Sequence, residues 1–206
     1  MPDSADNPKN NKAKMLSKSS PPSSQLSDEH LRAIGRLVVE WANIEFLLRI
    51  TLTRLLLTPD FLGRSYTDQM SAAKVQETIG EALDLHRGRF GFAIISKATV
   101  DQVAKINSRI IKLRSTRNKF AHFCWWRFDE DHIFGMNFSG GLPGTKKHER
   151  GQLKIKISEL NQLHHEFRDV VEELNQITSK LPEIDEKNLF ERLAGLQKRR
   201  ALSLEQ

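Results

Sequence analysis

The amino-acid sequence predicts a mainly α-helical protein, an antiparallel bundle of about four long helices with a small β insertion between the third and the fourth. Two observations carry this prediction. Several long stretches repeat apolar side chains at intervals of three and four residues, which is the spacing of one helix face. Between the third and the fourth of these stretches, the pattern changes to short aromatic and alternating runs that are typical of strands.

The composition limits the possible partners and compartments. The chain has 206 residues, a formal net charge of +6 and a sequence pI of about 9.5, which favours an anionic partner such as RNA. Its single cysteine, Cys124, excludes an internal disulfide framework and a cysteine-rich zinc site, and we expect neither a metal nor a cofactor. Because no apolar run could span a membrane and the N-terminal segment lacks a signal peptide's apolar core, we expect a soluble, cytoplasmic protein with no membrane association.

The N-terminal segment, residues 1–26, differs in composition from the rest of the chain. It is rich in Ser, Pro, Asn and Lys and has almost no large apolar side chains. Such a segment cannot bury enough surface to offset the entropy lost on ordering. We expect a disordered basic tail, which either contacts RNA or is simply solvated, followed by a helical domain over residues 27–181.

The first predicted helix begins after Ser27, a favourable N-cap residue, and ends at Thr58-Pro59-Asp60. One acidic residue, Glu45, interrupts its inward face, whose members are Leu31, Ile34, Val38, Trp41, Glu45, Leu48, Leu52 and Leu55. A second helix is predicted from near Asp68 to His86, and a third from about Ser96 to Ala121.

The β insertion is predicted over about residues 123–157. It contains two aromatic or apolar runs joined by an acidic turn, and then an alternating run in which Leu153, Ile155 and Ile157 face one way. Ser158 is the predicted cap of the fourth helix, which has the inward face Leu160, Leu163, Phe167, Val170, Leu174, Ile177 and Leu181. Residues 182–206 are predicted to contain a short amphipathic helix, from Glu186 to Arg199, and a tail.

The end of the third helix carries the candidate active site. Its apolar spacing runs through Val103, Ile106, Ile110 and Leu113, and the next position on that spacing is Arg117. Asn118 follows, and His122 lies where the helical pattern gives way to the strand-like run. A fixed cation close to a side chain that titrates near neutral pH suits phosphate binding or phosphodiester cleavage.

This segment, Arg117-Asn118-Lys119-Phe120-Ala121-His122, resembles the Arg-polar-x3-His motif of the HEPN superfamily of helical proteins. The long first helix with Trp41 and an inward Glu45, and the order of helices around the motif, extend the resemblance over roughly residues 27–181. The resemblance implies a metal-independent endoribonuclease, of toxin or phage-defence type, whose site forms at a homodimer interface. It also implies that Arg117, Asn118 and His122 are the site residues, although some family members keep the fold without the activity.

The chemistry of these residues fits RNA cleavage, because RNA supplies its own nucleophile, the 2′-hydroxyl. His122 would act as base or acid, Arg117 would hold the non-bridging phosphate oxygens, and Asn118 would orient the phosphate or the histidine. Five helical steps nevertheless place Arg117 and His122 about 140° apart around the helix axis. They converge only if the helix ends or bends near Ala121, or if two chains share the site.

A structural role is the alternative for the same residues. Arg117 and Glu45 would then form a buried ion pair between the first and third helices, and His122 would be a helix-terminal histidine. Glu45 is accordingly either a supporting residue of the site or a partner in folding.

Two further surfaces are candidates for contact with RNA. The basic residues of the β insertion, which form either an RNA-backbone patch or a solvated surface, are Lys146, Lys147, Arg150, Lys154 and Lys156. Trp125 and Trp126 can stack on bases, but we favour packing in the core or at a dimer interface. Cys124, between aromatic residues, is expected to be buried and inert.

Three functions remain open on the sequence alone. The first is the dimeric RNA-cleaving enzyme, which as a toxin would need an antitoxin or a nucleotidyltransferase as a neutralising partner. The second is a non-catalytic HEPN-like module that binds a nucleotide, RNA or a protein. The third is a helical interaction protein that uses its aromatic hairpin and tails, which predicts no nucleic-acid affinity that depends on salt or on Arg117.

Overall fold

A computed structural model describes residues 26–137 and 152–185 of the chain. These residues form the helices α1 (Asp28–Leu55), α2 (Asp60–Thr67), α3 (Ala72–Gly88), α4 (Lys97–His122) and α5 (Ile157–Thr178), and the strands β1 (Cys124–Arg127), β2 (His132–Met136) and β3 (Gln152–Lys156). The mainly helical class and the β insertion before the last long helix are therefore confirmed. The predicted basic tail and the short C-terminal helix lie outside the described residues.

Serine caps set the starts of three helices. The Oγ atoms of Ser27, Ser71 and Ser96 accept hydrogen bonds from the backbone N–H three residues further on, at 3.4, 3.3 and 3.2 Å. The cap predicted at Ser27 is confirmed, and Ser96, the predicted start of the third long helix, is its N-cap. The second long helix begins after Ser71 rather than near Asp68, because only this serine is placed to satisfy the free N–H groups of the first turn.

Helix α2 was not predicted. Its buried residues are Gly63 and Thr67, whereas Phe61, Leu62 and Tyr66 are exposed. A Cβ added at Gly63 would lie 2.2 Å from the Thr53 side chain, so α2 can approach α1 this closely only through a glycine. Because the buried side of α2 carries no large apolar residue, the sequence shows no apolar spacing there.

The inward face of α1 is rotated relative to the prediction. Leu31 and Val38 are exposed, at 49% and 46% of their surface. Their expected places in the core are taken by neighbouring residues, and the buried residues of α1 are His30, Ala33, Leu37, Trp41, Ile44, Leu47, Leu48, Thr51, Leu52, Thr53 and Leu55. Helix α1 has apolar side chains around much of its circumference, so spacing alone does not select the face that packs.

The directions of the helices also differ from those in a simple antiparallel bundle. Helix α4 is antiparallel to α5, since Arg109 pairs with Glu173 while Gln102 pairs with Lys180. Helices α1 and α5 run parallel, because residue numbers rise together from the Trp41–Phe167 ring contact to the bond between Thr51 and Thr178. The short α2 accounts for the difference, since it brings the chain back along α1 to Arg49, which donates to the Thr67 and Met70 carbonyls before α3 begins.

The strands form one antiparallel sheet in the order β1-β2-β3, in which Trp126 is opposite Phe134 and His132 is opposite Lys156. Ile133 and Ile155 join the core of the helices. The third strand ends one residue earlier than predicted, because Ile157 is already the first residue of α5 and Lys156, not Ser158, is at its N-cap position. The sheet directly follows α4, so it fixes the surroundings of His122.

Candidate functional site

Arg117 lies between α4 and α1 and is held by two groups. Its Nη2 atom is 3.5 Å from Oε1 of Glu45, and its guanidinium carbon lies 5.6 Å from the centre of the Trp41 ring. The side chains of Arg117 and Glu45 are 29% and 24% exposed, so the pair is half-buried. The ion pair between the first and third long predicted helices is present, at the position where Arg117 interrupts the apolar spacing.

Glu45 is itself held in place from within α1. Its Oε1 atom accepts a hydrogen bond from Nε1–H of Trp41, one helical turn earlier. The same oxygen therefore faces both the indole N–H and the guanidinium. Trp41 is fully buried against Phe167, so the carboxylate is anchored to the core and Arg117 is anchored to the carboxylate.

Asn118 connects Arg117 to a groove on the outer side of α4. Its Oδ1 atom accepts a hydrogen bond from Nη1 of Arg117 at 3.2 Å. The groove is shallow, has a volume of about 470 Å³, and is lined by Ile111, Arg114, Ser115, Asn118, Lys119, His122, Phe123 and Asn137. We call it the α4 groove. Asn118 thus touches both Arg117 and the groove in which His122 lies.

The predicted site residues are only partly brought together within one chain. Asn118 and His122 line the α4 groove, but Arg117 and Glu45 do not. Helix α4 stays helical through His122, so no bend at Ala121 brings the Arg117 and His122 side chains to one face.

Arg114, Ser115 and Lys119 are groove residues that the motif does not include. A helical projection of the sequence groups these residues with the motif, since positions 115, 118 and 122 share one side of a helix and positions 114 and 119 flank that side. The projection alone does not show which side of α4 faces solvent, nor that Phe123 and Asn137 border the groove at the end of this helix.

The basic patch of the β insertion is described only in part. Lys146, Lys147 and Arg150 lie outside the described residues. Lys154 has its Nζ atom 3.6 Å from Oδ2 of Asp129 and 3.7 Å from the centre of the Phe128 ring. Lys156 is exposed at the start of α5. A lysine that already faces a carboxylate and an aromatic ring is less available to phosphate, so Lys156 is the freer of these two.

The aromatic strand β1 packs as expected, apart from Cys124. Trp125 stacks on Phe120 with ring centres 5.2 Å apart, and its Nε1–H donates to the Phe120 carbonyl. Trp126 lies against Phe134 across the β1-β2 pair. Cys124 is exposed, which corrects the expectation of a buried thiol. Side chains alternate along a strand, so the inward position of Trp125 turns Cys124 outward.

Among the side chains of residues 26–137 and 152–185, no group of three or more His, Cys, Asp or Glu is arranged to hold a metal ion. A scan of the chain against protein-family models finds no match. Comparisons with curated proteins and with solved structures likewise find none. The resemblance to HEPN proteins therefore rests on helix order and on the motif at the end of α4.

Proposed function

We propose that this protein is a HEPN-type endoribonuclease that acts as a homodimer and cleaves RNA without a metal ion. One observation carries the proposal: Asn118 is hydrogen-bonded to Arg117 and lines the α4 groove together with His122. Asn118 thereby links an arginine to a concave surface that carries an imidazole and is open to a ligand. These are the groups that attack by a 2′-hydroxyl needs, since the enzyme must only move protons and stabilise charge on the phosphorane.

Each residue has a defined task in this reaction. His122 removes the proton of the 2′-hydroxyl or donates one to the leaving 5′-oxygen. Arg117 holds the non-bridging oxygens through its planar fork. Asn118 orients the phosphate, and its contact with Arg117 sets the direction of the guanidinium. Glu45 is a supporting residue, because it positions Arg117 without lining the groove.

The dimer is part of the proposal because one chain leaves the site incomplete. Arg117 and His122 project from different sides of α4, and a twofold axis would place Arg117 of one subunit near His122 of its partner. The axis would then generate two equivalent sites, each with Arg117 from one subunit and His122 from the other.

A non-catalytic HEPN-like module that binds a nucleotide, RNA or a protein is the second candidate, and a specific observation favours it. Arg117 is already engaged by Glu45 and by the Trp41 ring. An arginine held this way contributes to folding, and it would have to exchange partners before it could bind phosphate. In a binding module of this kind, loss of the His122 side chain would change the affinity for the ligand but not the fold.

Cleavage of RNA by the purified protein in EDTA separates the two candidates. The wild type is compared with His122→Ala and with His165→Ala, a matched control in which an exposed histidine of α5 outside the groove is removed. Folding and dimerisation of all three are checked first. The enzyme reading predicts that the wild type and His165→Ala leave a 2′,3′-cyclic phosphate and that His122→Ala does not cleave.

Two other outcomes argue against an enzyme with this site. If folded wild type cleaves none of a varied set of RNAs, the binding module is favoured. If all three proteins cleave equally, the activity comes from a contaminant or from another site. A role as a toxin or in phage defence predicts a neutralising partner, either an antitoxin or a nucleotidyltransferase, that copurifies and blocks cleavage.

A further inference from the structure

The described lining of the α4 groove carries positive charge only. It includes the guanidinium of Arg114 and the ammonium of Lys119, beside the imidazole of His122, and no carboxylate. A concave surface lined by charges of one sign raises the local concentration of ions of the opposite sign. The groove is therefore suited to an anion, and its length along more than two turns of α4 suits a chain of anions.

Among the described residues, Arg114 and Lys119 have no carboxylate partner, unlike the other arginines of α4. Arg109 and Arg117 are paired with Glu173 and Glu45. Arg114 donates instead to Oε1 of Gln76 at 2.7 Å, and neither it nor Lys119 forms an ion pair with any described acidic residue. A neutral amide leaves the full charge of Arg114 available to a ligand.

Gln76 also fixes the position of Arg114. Its side chain is 2% exposed, and Asn107 donates to its backbone carbonyl from the neighbouring helix at 3.0 Å. A buried acceptor of this kind holds one edge of the guanidinium and reduces the freedom that Arg114 would lose on binding. Gln76 is therefore a positioning residue.

The cations border the residues proposed for cleavage. At about 100° per residue, Arg114 and Lys119 lie about 140° apart around α4, and the middle of that arc is occupied by Ser115, Asn118 and His122. Along the axis the two cations are separated by about 7.5 Å. A strand crossing the groove would meet a cation at each rim while its sugar-phosphate backbone passed Asn118 and His122.

We infer that the α4 groove is a binding site for single-stranded RNA, in which Arg114 and Lys119 at the two rims hold backbone phosphates while His122 lies between the rims. The inference deepens the proposed function and rests on it for the role of His122. Binding itself needs no cleavage, so the two can be tested apart. The half-buried Phe123 at the end of the groove provides an apolar surface for the base nearest to it.

The test uses a fluorescein-labelled 2′-O-methyl oligoribonucleotide, which has no free 2′-hydroxyl and cannot be cleaved by this route. Fluorescence anisotropy gives its affinity for the full-length wild type, Arg114→Gln, Lys119→Gln and the double variant over a series of salt concentrations. Lys112→Gln is the matched control, since Lys112 is an exposed lysine of α4 outside the groove. Lys119→Gln removes an exposed side chain and is expected to fold even if Arg114→Gln does not.

Each groove substitution should weaken binding about fivefold at 0.1 M salt and reduce the slope of log K against log salt by about 0.7, the effect of one phosphate contact on a single strand. Lys112→Gln should change neither. Equal affinities for wild type and the groove variants, or no binding by wild type, would overturn the inference. If binding depends on the groove residues but ordinary RNA is not cleaved, the binding site is supported and the proposed nuclease is refuted. If RNA is cleaved and the groove variants cleave it as well as wild type, the nuclease is supported and this binding site is refuted.

Discussion

Arg117 and Glu45 form an ion pair across the bundle, from the last turns of α4 to the middle of α1, with Nη2 and Oε1 3.5 Å apart. The buried Trp41 binds both members, since its indole N–H donates to the carboxylate and its ring lies under the guanidinium. The candidate catalytic arginine is therefore connected to the hydrophobic core. Any movement of Arg117 away from this position must also release Glu45.

Glu45→Gln tests the strength of this connection. The amide oxygen still accepts the bond from Trp41, but the ion pair is lost, so the free energy of unfolding should fall by about 0.5–1 kcal/mol, a small amount because both side chains are partly exposed. Urea unfolding measures the change. Glu77→Gln, which breaks the exposed pair with Lys74, is the control and should have almost no effect. A loss as small as that of the control would show that Glu45 does not hold Arg117 in solution.

Mixing two inactive variants tests whether the site is shared between subunits. Arg117→Ala and His122→Ala are each expected to abolish cleavage. If Arg117 of one subunit works with His122 of its partner, a mixed dimer keeps one intact site, and an equal mixture after subunit exchange should recover about a quarter of wild-type activity. A mixture that stays inactive after exchange is confirmed would mean that each chain must supply both residues.

His30 should make stability depend on pH. It is 1% exposed, its Nδ1 accepts from the Ser27 backbone, and its Nε2 has no hydrogen-bond partner among the described residues. Burial, and then the nearby charge of Arg127, lower the pKa of His30. The unfolded chain therefore binds more protons than the folded one, so stability is full above about pH 6.5 and is lost as the pH falls below it.

His30→Gln removes this dependence while keeping a side-chain acceptor three residues after Ser27. The fall in unfolding free energy between about pH 7.5 and about pH 5.5 should be smaller in the variant than in wild type, as measured by urea unfolding at each pH. His165→Gln, which changes an exposed histidine, should behave like wild type. The same fall in all three proteins would mean that protonation of His30 is not its cause.

Gly135 is the position where the sheet tolerates no side chain. A Cβ added there would lie 2.6 Å from the Trp125 ring, which is stacked on Phe120. Gly135→Ala should therefore destabilise the protein by about 1–3 kcal/mol and shift the tryptophan fluorescence. Gly35→Ala is the contrasting variant: its Cβ would have no neighbour within 4 Å, and it should stabilise α1 by about 0.5–1 kcal/mol. Equal effects of the two variants would contradict the packing of Trp125.

Features that depend on neighbouring residues could be predicted. Ser27 and Ser96 cap their helices because a side-chain oxygen needs only the N–H three residues further on, and the strands show their alternation locally. Features that depend on distant residues could not. Helix α2 buries a glycine and a threonine because α1 lies against it, and Leu31 is exposed because the opposite side of α1 meets α5.

The candidate site shows the same division. Arg117 was recognisable because it stands where the apolar spacing calls for a hydrophobic residue, and its pairing with Glu45 followed from the matching interruption in α1. Arg114 and Lys119 were not recognisable as groove residues, since exposed cations on a helix look alike in sequence. Cys124 was expected inside because its neighbours are aromatic, and its direction was set by the packing of Trp125.

By itself the sequence determined the long helices, the cap at Ser27, the place of the β insertion and the motif at the end of α4, because each of these arises from contacts within a few residues. Only the tertiary structure decided that α1 and α5 run parallel, that the Trp41 ring lies against Arg117, and that His122 shares a groove with Arg114 and Lys119, which pair with no carboxylate of the described residues. Those outcomes depend on which helix faces meet, and this is settled by the packing of residues far apart in the chain.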